Sequence, residues 1–207
     1  MTARVLRAAD RTAVPWKNGG GVTREITASP EGAPMDAFDW RISLADVGAD
    51  GPFSAFPDVD RTLTVVEGAG MDLTVGGRRT LADEPYRPYD FPGDEETEGR
   101  LLGGPVVNFN VMRRRSRTAC LTSVVRGELL VAVPSGATVV IVALDGTTVL
   151  DEAGVTLGQY DAAVLDASPG SLHTDGHAAI VTLLKSVSGF RRTITPGNGT
   201  GAAHRSE

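Results

Sequence analysis

Short apolar runs rich in Val, Leu, Ile and Thr recur along the whole chain. Gly, Pro, Asn and Asp break them at intervals of roughly ten residues, the spacing of a β-sandwich or barrel. No segment sustains the apolar period of an amphipathic helix. The pattern predicts strands over Val22–Ile26, Phe38–Ala45, Thr62–Glu67, Met71–Val75, Val106–Met112, Leu129–Val133, Thr138–Leu144 and Ala162–Leu165. Gly76-Gly77 and Asp145-Gly146 read as hairpin turns, because these residues tolerate positive φ. Asp83 to Arg100 is acidic and contains proline, so it reads as an exposed loop. Thr195 to Glu207 reads as a disordered tail.

A weak internal repeat runs through this pattern. Val65–Val75 and Val124–Val131 each read as a strand, a glycine turn and a second strand. Each is followed by a Gly near an Asp, at Gly93-Asp94 and at Gly158–Asp161. Self-similarity of this kind points to duplicated β-barrel halves. The division expected is an N-terminal barrel over residues 1–112 carrying the ligand site, a C-terminal barrel over 113–194 and a tail over 195–207.

Composition narrows the function classes. The 207 residues are 41% hydrophobic, enough for a substantial core, and the net charge of −6 disfavours nucleic acid as a partner. The single cysteine, Cys120, rules out an intramolecular disulfide and reads as a small buried hydrophobe. Neither an apolar leader nor a membrane-spanning run stands out, so a cytoplasmic protein with no membrane partner is expected. The histidines are His173, His177 and His204, with the first two flanking an apparent turn; no histidine-based metal site and no cofactor are expected.

Candidate chemistry gathers in the first half. Lys17-Asn18-Gly19-Gly20-Gly21 lacks the phosphate-loop spacing. Its glycines either let backbone N–H groups cradle an anion, with Lys17 adding charge, or form a flexible lead into a strand. By alternation Arg24 shares a face with Val22 and Ile26, and Arg61 with Leu63 and Val65. An arginine on an apolar face needs a partner. That partner is either internal, with Glu25, Asp60 and Glu67 as candidates, or the carboxylate of a ligand. Asn108 and Asn110 alternate with Val107, Phe109 and Val111 and so point to the opposite face. There they read an amide or formyl group or bond within the barrel. The basic run Arg113–Arg117 reads as a solvated turn, a salt-bridge cluster or an oligomer contact.

Several segments together are similar to one family. They are Trp16–Ile26, Phe38–Ser43, Asp50–Ser54, Arg61–Leu63 with Glu67-Gly68, and Asn108–Arg114, in that order along residues 4 to 190. They resemble the HutD/Ves family of the cupin superfamily. The resemblance implies an all-β fold of two fused double-stranded β-helix barrels (a bicupin), with no required metal. It also implies an association with histidine utilisation and a small carboxylate such as N-formylglutamate as ligand. Asn108 departs from the acid more usual there.

The expected function is therefore small-carboxylate binding, regulatory in histidine utilisation. The ligand residues would be Lys17, Asn18, Arg24, Arg61 and Asn110, and no catalytic residue is assigned. The alternative is a metal-independent isomerase or hydrolase of a formylated or cyclic amino acid, with Glu25, Glu67 or Lys17 as acid or base. A homodimer is allowed by the sequence and not specified by it.

Overall fold

The structure, a computed structural model, describes residues 3–165 and 169–186. The expected tail and His204 lie outside these residues. The strands in chain order are β1 (Ala3–Leu6), β2 (Ala13–Pro15), β3 (Gly21–Ser29), β4 (Trp40–Val47), β5 (Gly51–Phe53), β6 (Val59–Glu67), β7 (Met71–Val75), β8 (Arg78–Ala82) and β9 (Pro88–Pro92). They continue with β10 (Thr97–Leu101), β11 (Val106–Arg114), β12 (Thr118–Val131), β13 (Ala137–Ala143), β14 (Thr148–Leu150), β15 (Val155–Leu157), β16 (Ala162–Leu165) and β17 (Gly170–Lys185). All described pairings are antiparallel, and the fold is all-β and cupin-like.

Three sheets carry these strands. One runs β2-β3-β4-β11-β6-β9, a second β5-β10-β7-β8, and a third β1-β16-β13-β17-β14-β15 with β12 beside β17. The first strand, β1, pairs with β16, so residues 3–6 join the third sheet rather than the sheets formed by the rest of residues 1–112.

The first sheet is buried on both faces. Ile26, Ile42, Leu44, Phe109 and Val111 face Val140, Val142, Val181 and Leu183 of the third sheet and form a core between the sheets. On the other face, Ala45, Val47, Leu63, Val65 and Val106 pack against Met71 and Leu73 of the second sheet. The inner face of the third sheet is closed by aliphatic side chains, including Val139, Ile141, Leu150, Leu157 and Leu172.

Several sequence expectations give way here. Asp83 to Arg100 is not a loop, since it holds β9 and most of β10. Pro88 and Pro92 are tolerated because β9 is an edge strand paired only with β6, while Phe91 reaches the core. The segment Val124–Val131 is one stretch of the long strand β12, and Gly127 (φ 74°) marks a bulge in its pairing with β17 rather than a turn. Residues 174–176 likewise lie within β17. Gly76-Gly77 does form a tight hairpin turn, both residues having positive φ. Asp145-Gly146 does not, because β17 runs between β13 and β14.

Candidate functional site

The cavity lies on the inner face of the first sheet and measures about 590 Å³. Register orders the sheet face on which it lies in rows. Thr23, Ala45, Asn108 and Val65 stand side by side, followed by Glu25, Ser43, Asn110 and Leu63, then by Arg41, Met112 and Arg61. Side chains directly opposite on paired strands share a face. The polar members of these rows therefore project away from the core between the sheets. Trp16, Lys17 and Asn18 close one side, and Pro52, Phe53, Ser54 and Phe56 another.

Arg61 is the chemical centre of the cavity. Its guanidinium carbon lies 4.9 Å from the Phe53 ring centre, 5.3 Å from Phe91 and 5.9 Å from Phe56. Nη1 donates only a long 3.4 Å hydrogen bond to the Ser54 carbonyl, and Nε is buried without a partner. Burial lowers its pKa from 12.5 to about 10, and no carboxylate among the described residues offsets this. The stem lies against Gly93, where a Cβ would stand 3.2 Å from Arg61 Cγ, so a larger residue there would crowd it. A half-buried guanidinium held by aromatic faces, with only one long hydrogen bond on its fork, is suited to a planar anion.

Arg41 stands one strand beyond Met112, on the same face as Arg61, and is met by Glu25 at 2.9 Å. It was not assigned from the sequence, although alternation with Ile42 and Leu44 places it on the polar face. Asn110 is 8% exposed, and its Nδ2 donates to the Asn108 carbonyl at 3.2 Å. Lys17 and Asn18 are exposed at the rim.

The glycine loop is not an open anion cradle. Gly19 N–H donates to the Trp16 carbonyl (3.0 Å) and Gly20 N–H to Asn18 Oδ1 (3.1 Å), so both amides are taken within the loop. Gly21 has a packing reason instead: a Cβ there would stand 2.5 Å from the Asp46 carbonyl oxygen and 3.0 Å from the Trp16 ring. The loop thus seats Trp16, whose Nε1 donates to Thr23 Oγ1 at 2.8 Å.

Arg24 is not brought to the cavity. It pairs across from Leu44, on the opposite face, and forms an ion pair with Asp46. Sequence alternation grouped it correctly with Val22 and Ile26, but that apolar face packs against a second sheet instead of bounding the cavity.

The remaining ionisable candidates are engaged elsewhere. Glu67 accepts hydrogen bonds from Tyr160 Oη (2.5 Å) and Gln159 Nε2 (3.3 Å) and does not line the cavity. Nearby, the Tyr86 ring stacks on His177 at 3.8 Å, and His177 Nδ1 lies 3.1 Å from both oxygens of Asp145. Burial alone would raise the Asp145 pKa, but hydrogen bonds from His177 and Tyr86 bring it below the usual carboxylate range. Among the described residues no group of His, Cys, Asp and Glu is arranged to hold a metal. Cys120 packs against the core between the sheets, and burial pushes its thiol pKa up. The basic run is a salt-bridge cluster. Arg113 and Arg115 meet Asp60, Arg115 also meets Asp94, Arg117 meets Asp39, and Arg114 donates to the carbonyls of Asp36 and Phe38. No helix among the described residues is long and apolar enough to cross a membrane.

Comparison with known proteins agrees with this architecture. An uncharacterized 21.2 kDa protein in the hutC 3′ region of Pseudomonas putida is 41% identical over 109 residues, which span 53% of this chain and 57% of that protein. Protein Ves of Cronobacter sakazakii is 38% identical over 105 residues, 49% of this chain and 55% of that protein. Each match thus spans little more than half the length of the relative. The solved structure of HutD from Pseudomonas fluorescens SBW25, in a formate condition, superposes with a TM-score of 0.78 at 32% identity, covering 90% of this chain and 100% of that one. At the level of fold alone, a cupin 2 conserved barrel domain protein from Leptotrichia buccalis matches with a TM-score of 0.52 at 12% identity, over 84% of this chain and 92% of that one. The HutD family model matches residues 8–182, and the chain belongs to the HutD family.

Proposed function

We propose that this chain is a binding protein for a small carboxylate, with a regulatory role in histidine utilisation and N-formylglutamate or a similar compound as ligand. The observation that carries the reading is Arg61: a half-buried guanidinium boxed by Phe53, Phe56 and Phe91, its Nε buried without a partner, lining a cavity and met by no acid among the described residues. An unpaired cation costs free energy in such a place, and an incoming carboxylate offsets that cost with charged hydrogen bonds of about 1.5–3 kcal/mol each. Lys17 at the rim offers a second positive charge to a ligand with two carboxylates. The hutC-region name of one relative and membership of the HutD family support the metabolic setting. The formate condition of the Pseudomonas fluorescens HutD structure makes formate a natural minimal probe.

Thermal unfolding with formate, glutarate, urocanate and N-formylglutamate tests this reading. Ligand occupying the folded state alone raises stability by about 2.7 kcal/mol at a hundredfold excess over Kd. Stabilisation present in the wild-type protein and absent in Arg61→Met supports the proposal. No shift with any of these compounds at millimolar concentration removes it.

A further inference from the structure

We infer that Asn108 makes part of the cavity wall a reader of a neutral N–H. The site then takes carboxylates that also carry an amide-type nitrogen and rejects those that carry an ammonium group. This deepens the carboxylate reading above and rests on it.

Asn108 lines the cavity and is 1% exposed. Its Nδ2 donates to the Met71 thioether sulfur at 3.2 Å. Sulfur in a thioether can only accept, so the nitrogen of the amide belongs on that side and the oxygen on the other. That oxygen, Oδ1, is buried and has no donor among the described residues. The neighbouring amide does not serve it, because Asn110 gives its own Nδ2 to the backbone carbonyl of Asn108. A buried acceptor without a donor is destabilising, and a ligand that brings one donor relieves it.

The charge around the cavity decides which donor fits. Among the described residues no Asp or Glu lines it; Glu25 stands on the same sheet face but is met by Arg41. Arg61 has no acidic partner among the described residues, Lys17 stands at the rim, and Arg41 is already met by Glu25. An ammonium group would bring a second desolvated cation to a positive site and find only a neutral amide oxygen. An amide, ureido or azole N–H brings the donor without the charge. With the ligand carboxylate on Arg61, such a group matches the buried, unfilled Oδ1 of Asn108. A carboxylate with no nitrogen leaves Oδ1 as it is in the free protein and falls between the two.

Calorimetric titration at neutral pH with glutarate, glutamate, N-formylglutamate and N-acetylglutamate tests this, since the probes share one dicarboxylate frame. The expected order in the wild-type protein is the N-acyl compounds tightest, glutarate about 5- to 10-fold weaker, and glutamate weakest by about 100-fold, the range that one matched or mismatched buried hydrogen bond produces. In Asn108→Asp, checked for folding by its thermal transition, the new carboxylate favours the ammonium. Glutamate should gain at least about 10-fold relative to N-formylglutamate. The wild-type series decides the matter even where the variant does not fold. Glutamate binding as tightly as N-formylglutamate, or a ratio unchanged in a folded Asn108→Asp, overturns the inference. Equal affinities that still require Arg61 defeat this inference alone. No binding by any probe removes the carboxylate reading and this inference with it.

Discussion

Replacing Arg61 by Met in the ligand-free protein should leave stability unchanged or raise it, although it removes a charged side chain from the centre of the first half. The methionine keeps the unbranched stem that packs over Gly93 and among the phenyl rings. What it loses is a cation whose pKa burial has lowered from 12.5 to about 10. At about 1.4 kcal/mol per tenfold change in the ionisation constant, holding that charge costs about 3 kcal/mol. The ring faces return roughly 0.5–1 kcal/mol apiece. The difference leaves Arg61→Met about 0–2 kcal/mol more stable, and each kcal/mol moves Tm by about 2–4 °C in a chain of this size. Thermal unfolding followed by circular dichroism, without added carboxylates, measures this directly. A variant destabilised by more than about 1 kcal/mol would show that Arg61 holds the structure together in a way its contacts do not reveal. The premise of a ligand-directed charge would then be wrong.

Other expectations follow from named contacts. Asp145 is held below its ordinary pKa by His177 and Tyr86. A carboxylate depressed in this way contributes stability above its unfolded value near pH 4, and that contribution is lost as pH falls through the lower folded value. Asp145→Asn should therefore be less stable at neutral pH and show a flatter stability profile below about pH 4, as read by denaturant titration across pH. Asp60→Asn takes the acid from Arg113 and leaves Arg115 with Asp94 alone, and should cost about 1–3 kcal/mol in chemical denaturation. Gly21→Ala drives a Cβ into the Asp46 carbonyl and the Trp16 ring and should lower stability by about 1–3 kcal/mol while shifting the Trp16 emission. Because the arginines of the 113–117 run are engaged with acids and carbonyls, fluorescence anisotropy with duplex DNA should show no binding at near-physiological salt.

The sequence disclosed the chemistry of this site more readily than its boundaries. Alternation along β11 put Asn108 and Asn110 opposite Phe109 and Val111, and along β6 it put Arg61 beside Leu63 and Val65; pairing in the sheet agrees on both strands. The same rule grouped Arg24 correctly yet misled about its role, because alternation says which residues share a face and is silent on which face bounds a cavity. A sheet buried on both sides removes the usual cue. Arg41 lies within the family-like segment Phe38–Ser43 and is not singled out by it, although its neighbours Ile42 and Leu44 mark the opposite face. Strands β9 and β5 were hidden by proline, which an edge strand tolerates and a central strand does not. The long pair β12 and β17 was broken up by glycines that read as turns. Gly127 is a bulge and Gly176 lies inside a strand, where a Cβ would stand 2.3 Å from Asp145 Oδ1. The triglycine loop left a choice between a cradle for anions and a flexible lead into a strand, and its hydrogen bonds show that it is closed on itself.

The most direct test is a crystal structure of the wild-type protein grown with N-formylglutamate. The account predicts a ligand carboxylate within hydrogen-bonding distance of the Arg61 guanidinium, inside the cavity between β4, β6 and β11. Ligand density elsewhere on the molecule, or an Arg61 side chain swung out of its aromatic box onto a protein carboxylate with the ligand absent, would contradict it.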